Sequence, residues 1–265
     1  MYHRIEFKND YLYFKVSGKG KPLVLLHGFL ESSNMWDDFS QNLLKHFKII
    51  SIDLPGHGKT ICFDEVHTME FMAECVKTIL EHLRINECIM VGHSMGGYVA
   101  LAFAEKYQAD LKGLCLFHSH ALADSPEAKI NRGRAITVVR ENHKGFINHF
   151  IPDLFASNNI ENFRDKIKEL QNDADSLTKE GVIAALEGMK LRTDKLNFLK
   201  RTDLPILFII GKEDPRANLA TMFEQLSIPK YSELLLLRDC GHMGYIEEKE
   251  ITVKAIKGFA GKYLS

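Results

Sequence analysis

The sequence lacks most of the features that mark specialised protein classes. It contains no CxxC pair, and its five cysteines (Cys62, Cys75, Cys88, Cys115 and Cys240) are odd in number and irregular in spacing. That argues against a disulfide framework and against a zinc site. No apolar run approaches the roughly 18 residues of a membrane-spanning helix. The opening MYHRIEFKND has no apolar centre of the kind a secretory leader carries. Nor is there a block of like charge: 34 Lys and Arg against 35 Asp and Glu leave a formal net charge of -1. A nucleic-acid or membrane-surface partner is therefore not expected. Repeats and low-complexity segments are also missing. These absences describe a cytoplasmic globular protein with reduced thiols, in which Cys88 and Cys115, set in apolar runs, read as small core residues.

What the sequence does contain is an alternation of two periodicities. RIEFKN, YLYFKV, PLVLLHG, KIISIDL, CIMVGH, GLCLFHS, PILFIIG and ELLLLRD read as strands. The middle and late runs are almost continuously apolar, as in parallel strands covered on both faces. Helical patterns lie between them: NMWDDFSQNLLKHF, TMEFMAECVKTILEHL, MGGYVALAFAEKY and, near the end, EITVKAIKGFAGKYL. Such an order predicts a mostly parallel, doubly wound α/β sheet of eight strands, with the first two strands as an antiparallel hairpin at one edge. The alternation stops between residues 121 and 201, where the pattern is helical only. There Ser125 is placed to cap a helix that starts at Pro126, and GFINHFIPDLF, IENFRDKIKELQ and KEGVIAALEGM follow. We read 1–120 and 202–265 as one core and 121–201 as a helical lid inserted after the sixth strand.

The chemistry is concentrated at Gly92-His93-Ser94-Met95-Gly96, a G-x-S-x-G pattern with a strand before it and a helix after it. In that context the serine sits on a sharp turn with its hydroxyl above the sheet edge, and glycines let strand and helix pass closely. A serine needs a base, and the base needs a carboxylate to orient it. His242 follows the last strand and Asp214 the one before it, giving the order Ser94, Asp214, His242. An oxyanion would rest on two backbone N–H groups, those of Met95 and of Phe29 in LLHGF. His27 in the same stretch reads as a structural residue bonding loop backbone.

Other arrangements of the same residues are weaker. DLPGHGKT ends like a phosphate-binding loop, but Asp53 stands where that loop needs glycine. His118 and His120 are too few for a metal site and read as packing or site-lining residues. Asp124 is the alternative triad acid; otherwise it is a loop-end carboxylate paired with an arginine such as Arg132.

LLHGF, DLPGHGKT, GHSMGG, GKEDP and GHMGYIEE, in that order, resemble the α/β-hydrolase superfamily, in its lid-bearing group of small serine esterases and lactonases. The resemblance implies the α/β-hydrolase fold and a serine hydrolase without cofactor or metal, acting through an acyl-enzyme on Ser94. Its expected partner is a small carboxylic ester or lactone, and its expected state a monomer or homodimer. Ser94 separates the chain from relatives with aspartate or cysteine at this position. Candidates for lining the substrate site are His120, Phe146, Phe150, Met189 and Met243; Phe155 and Leu186 lie in the same helical block. Two other readings carry over from the family. One is a carbon–carbon bond hydrolase or a lyase similar to SHCHC synthase, although Tyr98 stands where that lyase has arginine and Met243-Gly244-Tyr245 where the hydrolases often have tryptophan. The other is a ligand receptor that keeps the triad without turnover.

Overall fold

The computed structural model describes residues 1–264. Its strands are β1 (Tyr2–Phe7), β2 (Asp10–Gly18), β3 (Lys21–Leu26), β4 (Phe47–Ile52), β5 (Cys88–His93), β6 (Leu111–Phe117), β7 (Ile206–Gly211) and β8 (Ser232–Leu237). They form one sheet in the order β1-β2-β4-β3-β5-β6-β7-β8. Lys8 and Asn9 both take positive φ (48° and 64°), the two-residue turn whose twist suits a hairpin. Hence β1 and β2 pair antiparallel, and β2 also runs antiparallel to β4. All pairings from β4 to β8 are parallel. Every residue of β5 and β7 is buried, which is why those runs are apolar without alternation.

The helices are α1 (Trp36–Phe39), α2 (Met69–His82), α3 (Met95–Tyr107), α4 (Pro126–Glu141), α5 (His143–Phe150), α6 (Arg164–Ala174), α7 (Lys179–Leu191), α8 (Leu196–Arg201), α9 (Leu219–Leu226), α10 (Gly244–Glu247) and α11 (Lys249–Tyr263). On α2 the residues Met72, Val76, Ile79 and Leu80 share one buried face, and Thr68 caps its start by accepting from Phe71 N–H. Burial of each such aliphatic side chain stabilises the fold by about 1.5–3 kcal/mol.

The helix expected over 34–47 is instead broken into short turns, with only Trp36–Phe39 α-helical. The Ser40 carbonyl accepts from both Leu43 and Leu44 N–H, at 2.8 and 3.1 Å, which tightens the chain into three-residue turns. Trp36, Phe39 and Leu43 are buried there. The periodicity therefore identifies the apolar face but not the break. Helix α8 is short and closes the block read as helical, whereas α9 lies outside the patterns read from the sequence.

Between β6 and β7 the chain is helical only, from α4 to α8. Ser125 caps α4 as expected, its hydroxyl accepting from Ala128 N–H at 3.1 Å. Among the described residues, no helix is long and apolar enough to cross a membrane.

Candidate active site

Ser94 lies between the last residue of β5 and the first of α3, with φ 52° and ψ -116°. Few non-glycine residues tolerate this conformation, and it persists only where neighbours over-determine it. They do so here. Ser94 N–H donates to the Phe117 carbonyl at 2.9 Å, and the Ser94 carbonyl accepts from Gly97 N–H at 2.9 Å and Ser119 Oγ at 2.8 Å. Glycine at 92 permits the turn, because a Cβ there would lie 2.3 Å from the Gly96 carbonyl oxygen. Leu30 (φ 63°) and His118 (φ 50°) are also left-handed, so three strained residues stand at one end of β3, β5 and β6. Ser94 Oγ makes no hydrogen bond to the described residues.

His242 follows β8, and its Nδ1 lies 2.8 and 3.0 Å from the two carboxylate oxygens of Asp214. A carboxylate only accepts, so Nδ1 carries the proton and Nε2 is left with its lone pair. The loop is clamped by Glu247 on α10, whose carboxylate accepts from the N–H groups of Gly241 and Met243, each at 3.1 Å. Glu247 also accepts from Ala156 N–H at 3.0 Å, and His242 N–H donates to the Leu154 carbonyl at 2.7 Å. The helical insertion thus holds the histidine loop from the other side.

Asp214 takes more donors than His242 alone. His118 Nδ1 lies 3.0 Å from Oδ2, and Arg216 N–H donates to Oδ1 at 2.8 Å. Burial by itself pushes the Asp214 carboxyl up. His242 and His118 more than reverse this and hold it below the usual carboxylate range. Burial keeps His118 below the ordinary histidine value, hence neutral. The ligand atoms of His118, Asp214 and His242 all lie within 4.8 Å of one another, but they face each other across N–H···O bonds, so an ion would have to displace two protons. The alternative acid, Asp124, is engaged elsewhere: it pairs with Arg132 and with Arg192 Nη1, the latter at 2.5 Å.

His27 bonds loop backbone as read from the sequence, its Nδ1 donating to the Gly28 carbonyl at 2.8 Å and its Nε2 accepting from Leu54 N–H at 3.0 Å. Asp53 accepts from Ser33 N–H and Lys59 N–H, at 2.8 and 2.9 Å, and so organises the DLPGHGKT loop as structure. The N–H groups of Phe29 and Met95 have no acceptor among the described residues.

Ser94 and His242 share a cavity of about 880 Å³. Phe29, Phe146, Phe150, Leu186 and Met189 give it an apolar wall, with the Phe29 and Phe150 rings edge to face at 5.6 Å. His120 is also on the wall. It accepts Leu122 N–H at Nδ1 and so donates from Nε2 to the Tyr98 hydroxyl at 3.3 Å, and burial pushes it down to about 4. One expectation fails. Met243 is buried in the core, away from the cavity wall, because its backbone is turned inward by the Glu247 clamp. Phe155, which was not among the wall candidates, packs in the core with its ring 6.0 Å from that of Phe163. Sequence reasoning also missed a cationic side. Arg132, Arg192 and Arg216 reach the cavity, Arg192 lying 3.9 Å over the Tyr98 ring and Arg216 4.5 Å over the Phe150 ring. The position of Arg216, two residues after Asp214, was the available signal.

This geometry agrees with what the chain is similar to. Residues 21–249 match the family model described as alpha/beta hydrolase fold. The chain belongs to that family. The pimeloyl-[acyl-carrier protein] methyl ester esterase of Vibrio cholerae is 26% identical over 94% of this chain and 98% of its own. The dihydrolipoyllysine-residue acetyltransferase component of the acetoin cleaving system of Pseudomonas putida is 27% identical over 95% of this chain, which spans 66% of that relative's length. Among solved structures, a thermophilic esterase from Thermogutta terrifontis with malate bound is 32% identical, with a TM-score of 0.92 over 99% of this chain and 100% of that one. The chain is thus a member of a hydrolase family with esterase relatives.

Proposed function

We propose that the protein is a serine hydrolase of small carboxylic esters or lactones. The observation that carries this reading is the left-handed Ser94 at a strand-to-helix turn, in one cavity with a histidine whose Nδ1 is held by a buried carboxylate. Ser94 Oγ attacks the substrate carbonyl while His242 Nε2 takes its proton. The contact from Oγ to Nε2 tightens once substrate is bound, as is usual when the ligand-free site is loose. The tetrahedral oxyanion accepts from Phe29 and Met95 N–H. His242 then protonates the leaving alcohol, and water activated by the same nitrogen releases the acid. A lactone follows the same steps, except that the freed alcohol stays part of the acyl group, so deacylation releases a single hydroxy acid.

The helical insertion acts as the lid, with Phe146, Phe150, Leu186 and Met189 selecting an acyl or alcohol group of modest size. Arg192 does not favour the lyase reading. Its charge is already paired with Asp124, and its Nε and Nη1 hydrogens go to Asp124 and to the Leu122 and Met189 carbonyls, which weakens any grip on a substrate carboxylate.

A fluorophosphonate is expected to label the protein at Ser94 alone, and Ser94→Ala to lose nearly all turnover of p-nitrophenyl esters. Labelling at another residue, or full activity in the variant, would reject the assignment. Binding without steady-state hydrolysis would point to the receptor reading instead.

A further inference from the structure

A second buried polar chain, outside Ser94, His242 and Asp214, joins the three loops of the site. It starts at Tyr245 on α10, whose hydroxyl donates to Glu31 Oε1 at 2.7 Å. Glu31 Oε2 accepts from Gly28 N–H at 2.8 Å and lies 3.0 Å from His93 Nδ1. His93 Nε2 lies 2.9 Å from the His242 carbonyl oxygen. The side chains of Glu31 and His93 are 6% and 2% exposed. The packing leaves no slack, since a Cβ on Gly28 would stand 2.5 Å from Glu31 Oε2 and 2.7 Å from His93 Nδ1.

Counting donors fixes the protons. The His242 carbonyl can only accept, so His93 Nε2 carries a hydrogen. At Nδ1 either His93 donates to an ionised Glu31, or a protonated Glu31 donates to His93. The carboxylate already accepts from Gly28 N–H and from the Tyr245 hydroxyl, and two such donors favour its ionised form. Both ring nitrogens of His93 are then N–H.

The connections explain what such a pair would do. Gly28 directly precedes Phe29, one proposed oxyanion donor. His93 directly precedes Ser94, and its other nitrogen holds the backbone of His242. We propose that Glu31 and His93 form a positioning ion pair, carboxylate against imidazolium, that sets the register of nucleophile, base and oxyanion donors. The inference rests on the hydrolase reading given above. The pair touches no reacting atom and acts through its neighbours.

The groups facing His93 are Glu31, Tyr245 at 5.4 Å, His242 at 5.2 Å and His118 at 6.1 Å between ring centres, with Asp214 behind the two histidines. Burial lowers the basicity of His93, and Glu31 more than offsets this, so the imidazolium survives above the ordinary histidine range.

Nitrogen-resolved NMR of the histidine rings in the full chain, with His93→Gln to assign the signal, reads the proton count directly. Two N–H groups on His93 at about pH 7 are expected; a singly protonated ring there overturns the proposal. In kinetics, Glu31→Gln keeps the shape and removes the charge. It should lower kcat about 10- to 100-fold, as small misplacements of reacting groups do, with KM changed less than about threefold. The alkaline limb of kcat should move to lower pH, because His93 then loses its proton earlier. A merely structural role would lower the melting temperature and leave that limb in place. Ser94→Ala, run in parallel, separates the two ideas. Retained turnover there removes the hydrolase reading. Lost turnover there, with wild-type kcat and an unmoved limb in Glu31→Gln, removes only the positioning pair.

Discussion

His118 donates to the same carboxylate that orients His242: its Nδ1 lies 3.0 Å from Asp214 Oδ2, against 2.8 Å for His242 Nδ1. The second imidazole fixes the carboxylate without displacing His242, which keeps both its contacts to Asp214. Asp214→Asn should therefore lower kcat by about 10⁴, the effect of leaving a triad histidine in the wrong tautomer. His118→Phe should cost far less, since Asp214 keeps His242 and Arg216 N–H. Asp124→Ala should leave kcat within about tenfold but lower stability by about 3–5 kcal/mol, because it strands the buried Arg192 charge. Steady-state rates and urea unfolding on the three variants check the order; a larger kcat loss at Asp124 than at Asp214 would reassign the acid.

Strain at the elbow gives an opposite pairing of activity and stability. Ser94 holds φ 52° and ψ -116°, a conformation that costs a non-glycine residue about 1–3 kcal/mol. Ser94→Gly should abolish turnover and still raise the unfolding midpoint, by an amount corresponding to about 1 kcal/mol. A midpoint at or below that of wild type would show that the turn is not strained.

The buried histidines predict how stability depends on pH. Burial lowers His27, His118, His57 (to about 3), His67 (to about 4) and His120 (to about 4). Each stays neutral in the fold but takes a proton in the unfolded chain below about pH 6.5. The unfolded state then binds more protons, so stability falls as pH drops through that value. His93 is raised and works the other way, stabilising below about pH 6.5. Asp214, held below the carboxylate range, keeps its contribution down to about pH 4 and loses it only under stronger acid. These five lowered histidines, with the partly exposed His143 also lowered by burial, outweigh the one raised, so urea midpoints should decline steadily from about pH 7 to about pH 5. A flat profile would contradict the burial of these rings.

Substrate length should report the cavity wall. Each buried methylene contributes about 0.8 kcal/mol, roughly fourfold in kcat/KM. Activity on p-nitrophenyl esters should rise over the first few carbons and then fall, and Phe150→Ala, which opens the wall against Phe29 and Phe146, should move the optimum to longer chains. The same optimum in wild type and variant would place the acyl group elsewhere.

The sheet was legible because parallel strands buried on both faces leave continuous apolar runs: all six residues of β7 are buried, and PILFIIG shows it. Ser94, Asp214 and His242 could be singled out as candidates because each stands beside such a run. The rest was not, and for a physical reason. Glu31 and His93 are 62 positions apart, and Tyr245 and Glu31 214. Pairings at that range impose no local period, so a glutamate in HGFLE and a tyrosine after GHMG look like ordinary loop residues. Met243 failed as a wall residue because the N–H groups on both sides of His242, those of Gly241 and Met243, are held by Glu247 and the Met243 side chain is buried, a pairing across the loop that its position beside His242 does not reveal. His118 was noticed, but only the fold shows that it reaches Asp214.

Strands β6 and β7 are hydrogen-bonded neighbours, and Lys195 N–H closes on the Ala121 carbonyl at 2.7 Å, so the insertion leaves and re-enters the sheet at adjacent points. A segment attached in this way behaves as an exchangeable cassette, since its length and content can change without moving the strand ends beside Ser94, Asp214 and His242. The exchange has one condition here. The Leu154 carbonyl and Ala156 N–H reach back to His242 and Glu247. A grafted cassette that presents no acceptor and donor at those two points would leave the sheet intact and the histidine loop untethered.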